Sequence, residues 1–460
     1  MGIETSPRMT LQQDFARDSE YYLADGNTVI LVENVLFKVH RYILSRDGSA
    51  FEGMFSLDNI PKSDSAETLI MSSSEGTQPS YPHSQLHRSR LSPEGSSDKI
   101  PIHLFGDTAA DFRSLLWALY ALPAEVFAMP STQAQITRLI GIARIAHKYA
   151  FRTTESWALS VLTMCVCQAP DTPSDHDIHG DVEVDSEAGK SIVSSTNILI
   201  QLTEVAVLCA HDELHEAVEP IWADLLFAGQ TQDIVSAMGL ADRYKSQLRP
   251  LLGLAYYLMM LKGKEEWTKA ALGDDKDDSD KMKKPRLTRD QRIRLLSGYY
   301  NLSRACESLP SNTPKLTHHP SCFTPAQQAQ QAIGLGGAGT AAAHAHARCG
   351  ESWDTLWAGL VMGTAGSNAM SNNVAIKIQS VDLLRKMHMV NHVLESLVSV
   401  DGLAGADNAA NAASTYGVLG YGGWYAMAGN MNKNCLRMAL KASEEKVNDV
   451  LYGLADCFVE

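Results

Sequence analysis

The sequence predicts an α+β fold, with a small N-terminal sheet and helical hairpins followed by an all-α C-terminal region. Three observations carry this. Residues 28–33, "TVILVE", and 35–40, "VLFKVH", are β-branched runs parted by a short polar turn, the pattern of a hairpin. Residues 100–105, "IPIHLF", form a third run of that kind. From position 108 onward apolar residues recur at steps of three and four instead of two, which is the period of helices.

Taken in order, the hairpin puts Phe37 and Val39 on one face and hands the chain through His40 and Arg41 into a short helix. Leu44, then Phe51, Met54 and Phe55, mark two short amphipathic helices. Residues 58–98 are dense in Ser, Pro and Gly. They hold too little apolar area to offset ordering entropy, so a disordered insertion is expected there. Within it Ser92-Pro93 offers a phosphorylation site. After the third strand come helical segments at 108–120, 134–150 and 153–167; in the second, Ile136, Leu139, Ile140, Ala143, Ala146 and Tyr149 form one stripe.

Residues 168–191 are acidic and self-repelling and read as a linker. Beyond 192 every periodic segment is helical: 196–228, 231–262, 286–308, 351–363, 374–399 and 432–458. Low-complexity loops are expected near 310–348 and 401–431, where Pro, Gln, Ala, Gly and Asn dominate.

Composition excludes several function classes. The chain has 460 residues and a formal net charge of -14, against a nucleic-acid-binding surface spread over the protein, which would need a basic footprint. The longest apolar run, 251–261, is about half a membrane span. The N-terminus has no apolar stretch of a signal peptide, although Met1-Gly2 with Ser6 fits a short N-acylation pattern. Eight scattered cysteines without a C-x-x-C pair suit reduced thiols. An intracellular protein of the cytoplasm, the nucleus or both is therefore expected.

Four motifs invite an enzymatic or metal-binding interpretation. In "HDELH", His211 and His215 have the i, i+4 spacing of zinc protease ligands, but Asp212 stands where the general-base Glu belongs and Pro220 follows. A polar face near a helix junction is expected instead, and the same letters are no retention signal away from a C-terminus. "DIHG" at 177–180 lacks a preceding strand, and "GLGGAG" at 334–339 follows no strand either, so neither phosphatase metal chemistry nor dinucleotide binding is expected. Cys306, His318, His319, Cys322, His344, His346 and Cys349 have the donor atoms of a zinc site but irregular intervals. Exposed loop histidines are expected, and no catalytic residue, cofactor or metal is assigned. Lys283-Lys284-Pro285-Arg286 reads either as a nuclear-import signal or as a solvated charge run.

The informative stretch is 25–57. "FKVHRYIL" holds Phe37, His40, Arg41 and Leu44, and "SAFEGMF" holds Ser49, Phe51, Met54 and Phe55. With "IPIHLF", "DFRSLLWALYA" and "LIGIARIAHKYAF" following in order, residues 20–167 resemble the BTB (POZ) domain. The whole chain resembles fungal BTB proteins with a long helical C-terminal region.

The resemblance implies a non-enzymatic interaction module, a homodimer, and protein partners not identified by sequence. Alternatives are a substrate adaptor of a cullin ubiquitin ligase and a BTB transcriptional regulator. It also implies interaction residues at Asp25, Asn27, Phe37, His40, Arg41, Leu44, Phe51, Met54 and Phe55, although the apolar character of Phe37, Leu44, Phe51 and Phe55 favours core over contact and His40 reads as a hydrogen-bonded structural residue at the strand–helix junction. Two departures stand out. Asn27 occupies the place of an acid that faces the Arg after the His, with Asp25 as the substitute partner for Arg41. "SLDNIPKS" replaces the hydrophobic-x-Glu element of cullin adaptors. For self-association, Phe15, Tyr21, Tyr22 and Leu23 are expected to cover a partner's surface.

Overall fold

The computed structural model describes residues 15–57, 94–126, 132–167, 195–272, 286–319, 340–366, 381–399, 428 and 431–459. The chain divides into two compact units, Met1–Ile221 and Trp222–Glu460. Most of it is helical, with one four-stranded mixed sheet in the first unit.

The sheet grows from the predicted hairpin. Strands β2 (Thr28–Val32) and β3 (Val35–Val39) pair antiparallel, with Val32 opposite Val35. Only Glu33 and Asn34 make the turn, and Glu33 adopts a left-handed φ of 53°. β4 (Ile102–Leu104) lies parallel to β2, with Ile30 opposite Ile102. The alternation sorts the side chains as period two requires. Ile30, Val32, Phe37, Val39, Ile102 and Leu104 face the main core, while Val29, Leu31 and Leu36 face the opposite side with Phe15 and Tyr22.

A strand the sequence did not announce completes the sheet. β1 (Ala16–Tyr22) runs parallel to β3, giving the order β1-β3-β2-β4. The segment "ARDSEYY" lacks alternation because Asp18 breaks it. Its carboxylate is fully buried, and it accepts from the backbone N–H groups of Glu20 (3.0 Å) and Tyr21 (2.8 Å) and from Arg113 Nε (2.9 Å) and Nη2 (2.5 Å). A hydrogen-bonded carboxylate satisfies backbone donors where the ladder register slips, between Arg17 and Tyr22. Phe15, Tyr21 and Tyr22 pack against the two faces of the sheet and remain half-buried.

Helices α1 (Arg41–Leu44) and α2 (Ala50–Leu57) follow the hairpin, and α3 (Ala109–Tyr120), α4 (Pro123–Val126), α5 (Gln133–Lys148) and α6 (Arg152–Cys167) follow β4. Each main helix has its cap. Thr108 accepts from Asp111 N–H at α3, while Thr132 and Gln135 form a capping box at α5. Asp47 lies outside α6 in sequence, yet its carboxylate accepts from Thr153 N–H at 2.7 Å in the first turn of that helix.

The end of the expected disordered insertion, 94–98, is ordered structure, and residues 58–93 lie outside the described residues. Gly95 accepts from Val29 N–H (2.8 Å) and donates to Ile100 O (2.7 Å) at φ +79°. Asp98 accepts from Arg17 Nη2 (2.7 Å) and Tyr22 Oη (2.6 Å), fastening this segment to β1.

The helical region departs from the sequence expectation at its joints. The helix expected over 196–228 is two: α7 (Thr196–Leu208), which packs on α5 within the first unit, and α8 (Asp212–Phe227), inside which the unit boundary falls. The linker expected at 168–191 lies outside the described residues. Ala210 makes the break at φ 49°, with His211 N–H returning to Ala206 O (2.9 Å). A left-handed residue at a helix end is usually Gly, so an Ala there left no mark in the sequence. α8 continues through Pro220, without the hydrogen bond that a proline cannot donate.

In the second unit the segment 231–262 is α9 (Thr231–Arg243) and α10 (Arg249–Lys262), parted before Pro250. α11 (Lys264–Leu272), absent from the expectation, comes next, then α12 (Arg289–Ser308). Part of the loop expected over 310–348 is helix, because α13 runs Thr340–Gly366. α14 (Leu383–Ser399) and α15 (Lys433–Cys457) close the chain. α10 packs on α9, α12 and α15, and α14 packs on α13 and α15. Asp242 is a polar hub beside α10. It accepts from Arg294 Nη1 (2.5 Å), Gln291 Nε2 (2.9 Å) and Tyr256 Oη (3.0 Å). Among the described residues no helix is long and apolar enough to cross a membrane.

Candidate interaction surface

The nine residues singled out by the sequence separate into two groups. Phe37, Leu44, Phe51 and Phe55 are buried in the main core, with Met54 half-buried against it. Phe37 meets Phe112 edge-on at 5.1 Å, and Phe51 lies 4.7 Å from Tyr149. These aromatic side chains hold the hairpin, α2, α3 and the α5–α6 turn together. Phe37, Leu44, Phe51 and Phe55 thus act as core side chains, the role their apolar character favours over contact.

Asp25, Asn27, His40 and Arg41 sit at the surface where the hairpin enters α1. Asn27 Oδ1 accepts from the backbone N–H of Arg41 at 2.8 Å. Its amide thus satisfies a donor at the start of α1, where four backbone N–H groups lack helical partners. The substitute partnership expected for Asp25 goes to His40, whose Nε2 lies 3.3 Å from Asp25 Oδ2. Arg41 instead places its guanidinium 4.6 Å from the centre of the Phe55 ring, a cation–π arrangement over a residue whose other face is core.

His40 is held from its other side by Tyr120. The Tyr120 hydroxyl accepts from the His40 backbone N–H (3.1 Å) and lies 2.9 Å from Nδ1. Burial pushes the Tyr120 phenol up, while the His40 N–H opposes that rise. The hydroxyl therefore keeps its proton at neutral pH and can donate it to Nδ1, which directs Nε2–H towards Asp25. This is a positioning network at a strand–helix junction.

Sequence reasoning missed Tyr42, which stands 71% exposed between Arg41 and Leu44. The Arg46 guanidinium lies 5.0 Å from its ring. The signal was present: in a single turn of helix whose Leu44 is buried, a tyrosine two positions earlier faces away. Exposed aromatic and Arg side chains together are the composition enriched at the centres of protein interfaces.

The motifs that suggested chemistry resolve differently. His211 is the cap of α8, its Nδ1 accepting from Leu214 N–H at 3.1 Å, while His215 Nδ1 lies 3.8 Å from Glu219. The two rings therefore serve separate partners. Residues 177–180, 334–339, Ser92-Pro93 and Lys283 to Pro285 lie outside the described residues.

His147, Glu155 and Cys209 do come together, with His147 Nδ1 2.8 Å from Glu155 Oε1. Burial, with the Glu155 carboxylate adding to it, pushes the Cys209 thiol up to about 12. At neutral pH it stays protonated, whereas a nucleophilic cysteine needs its thiolate.

No family model matches the chain, no curated protein matches it, and no solved structure matches it.

Proposed function

We propose that this chain is a non-enzymatic interaction scaffold of the BTB type, self-associating through its N-terminal unit and acting inside the cell, in the cytoplasm, the nucleus or both. The observation that carries the reading is an order of elements. A hairpin leads into two short helices, a strand returns parallel to β2 after the insertion, and α3 and the α5–α6 pair follow. That order agrees with what the sequence resemblance implies, and the residues of the resembling motif supply the core of the unit.

Two further features support an interaction role. The sheet presents β1 and β4 at its edges, and edge strands carry backbone groups that can pair with another chain. Tyr42 with Arg46 offers an exposed aromatic and cationic patch just after β3.

Light scattering on the full-length chain across a concentration series tests self-association. The expected weight-average mass rises from the 50.2 kDa of one chain towards twice that value, as a symmetric dimer requires. A constant monomer mass at about 100 μM, where even a weak specific interface is well populated, would reject it. Photo-crosslinking from position 42, read by mass spectrometry, then distinguishes the alternatives. A cullin subunit at that position would favour the ligase adaptor, and a chromatin regulator would favour the transcriptional reading.

A further inference from the structure

The sequence assigned no metal, yet the second unit brings together three soft or borderline metal ligands. His318 Nδ1, Cys349 Sγ and Cys435 Sγ all lie within 4.8 Å of one another. Cys349 and Cys435 are buried, and His318 is half-buried. Of the residues weighed from sequence, His318 and Cys349 belong to this group and Cys306 does not; Cys435 was not among them.

The fold holds each ligand by separate means. Residues 309–319 run beside α13, pinned by Trp357 Nε1 donating to Leu309 O (2.9 Å) and Trp353 Nε1 donating to Pro314 O (2.7 Å). Cys349, Trp353 and Trp357 follow at four-residue steps along α13, so the stripe that fastens this segment also carries the first thiol. Cys435 is the third residue of α15, whose start Asn432 caps by accepting from Asn434 N–H at 2.9 Å. A helix N-terminus favours a thiolate over a thiol. His319 N–H donates to Cys435 Sγ at 3.4 Å, the kind of outer hydrogen bond that orients a metal-bound sulfur.

The distances suit one ion. With bonds of about 2.3 Å to sulfur and about 2.05 Å to nitrogen, tetrahedral edges are about 3.6 Å for N to S and about 3.8 Å for S to S. His318 Nδ1 and Cys435 Sγ are 3.8 Å apart. From this geometry we infer that His318, Cys349 and Cys435 bind a zinc(II) ion that ties the 312–319 segment to α13 and α15. The two thiolates and one imidazole select a borderline-soft ion over magnesium or calcium, which take oxygen ligands. A water or one more side chain completes the tetrahedron. Binding releases the protons of the two thiols, and no oxidation or reduction is involved.

The test uses the full-length chain purified without chelators or a histidine tag. Elemental analysis is expected to find about one zinc per chain, and less than a tenth of that in Cys435→Ser and in His318→Ala. Cys457→Ser and His215→Ala, whose residues lie outside the group, should retain it. Because a ligand variant can misfold, the wild-type chain is also stripped of metal and titrated with cobalt(II). Thiolate-to-cobalt charge-transfer bands and intense tetrahedral ligand-field bands should saturate at one equivalent and be displaced by zinc. Zinc absent from the purified chain together with no such bands would overturn the assignment, as would a Cys349–Cys435 disulfide in non-reducing peptide maps.

Discussion

The Tyr120 hydroxyl lies 3.1 Å from the backbone nitrogen of His40 and 2.9 Å from its Nδ1, so one phenol at the end of α3 fixes both the main chain and the ring at the entrance to α1. Tyr120→Phe removes an acceptor and a donor together. It should cost about 1–2 kcal/mol. Hydrogen exchange at the Arg41–Leu44 turn should accelerate while α5 is unchanged. In the wild type, long-range proton–nitrogen correlation should show the His40 proton on Nε2; a proton on Nδ1 would contradict this network.

Acid should loosen the first unit through Asp18. Burial raises its carboxyl, but Arg113 and the N–H groups of Tyr21 and Glu20 outweigh that and hold it below its ordinary 3.8. A lowered folded value means stability present above pH 3.8 and lost as pH falls through the folded value. Asp18→Asn should cost about 2–3 kcal/mol at neutral pH, since it leaves a partly buried guanidinium without its counter-ion. The gap between wild type and variant, followed by hydrogen exchange in β1 and α3, should narrow below about pH 4. A gap that stays constant with pH would count against this origin.

The boundary of the insertion is testable at Gly95. A Cβ there would stand 2.8 Å from both Thr28 Oγ1 and Ile102 Cδ1, at a φ of +79°. Gly95→Ala should therefore destabilise the first unit by about 1–3 kcal/mol. Deleting 62–93 should be tolerated better than deleting 62–98, because only the longer deletion removes the Asp98 and Gly95 contacts. Equal thermal stability of the two deletions would reject the distinction.

Thr28 offers a change in the opposite direction. Its Oγ1 is buried and has no hydrogen-bond partner among the described residues. Thr28→Val keeps the shape and removes an unsatisfied polar atom, so stability should hold or rise by up to about 1 kcal/mol. A clear loss in denaturant midpoint would mean that the hydroxyl is satisfied in solution.

In the second unit Gly253 lies where α10 and α15 approach closely. A Cβ there would lie 2.7 Å from the backbone nitrogen of Ala455 and 2.9 Å from Leu454 Cβ. Backbone cannot yield as a side-chain tip can. Gly253→Ala should lower the melting temperature, the overpacking cost of about 1–3 kcal/mol exceeding the gain in helix propensity of about 1 kcal/mol. An unchanged or higher melting temperature would show that α15 can shift.

Local elements of strong periodicity could be read directly from the residues. The hairpin with Phe37 and Val39 on one face, a third strand within 100–105 and the helices over 134–150 and 153–167 were legible, because side-chain period follows directly from backbone geometry; the parallel pairing of 102–104 with β2 was not. The sequence also marked residues 25–57 as informative. Its helix joints failed where the decisive residue was unremarkable, as at Ala210, whose left-handed conformation is set by the turn that returns His211 N–H to Ala206 O.

Which residues meet was settled by packing. Asp18 and Arg113, like Gly95 and Val29, find one another across long stretches of chain, and no periodicity encodes such pairs. The division of the nine flagged residues into core aromatics and a surface network at His40 depends on which face each one packs. Likewise the Asp25 carboxylate could have served Arg41 or His40; it meets His40, while the Arg41 guanidinium lies over Phe55. The grouping of His318 and Cys349 with Cys435 is the clearest case: burial and helix packing bring together ligands whose spacing in the chain carries no pattern.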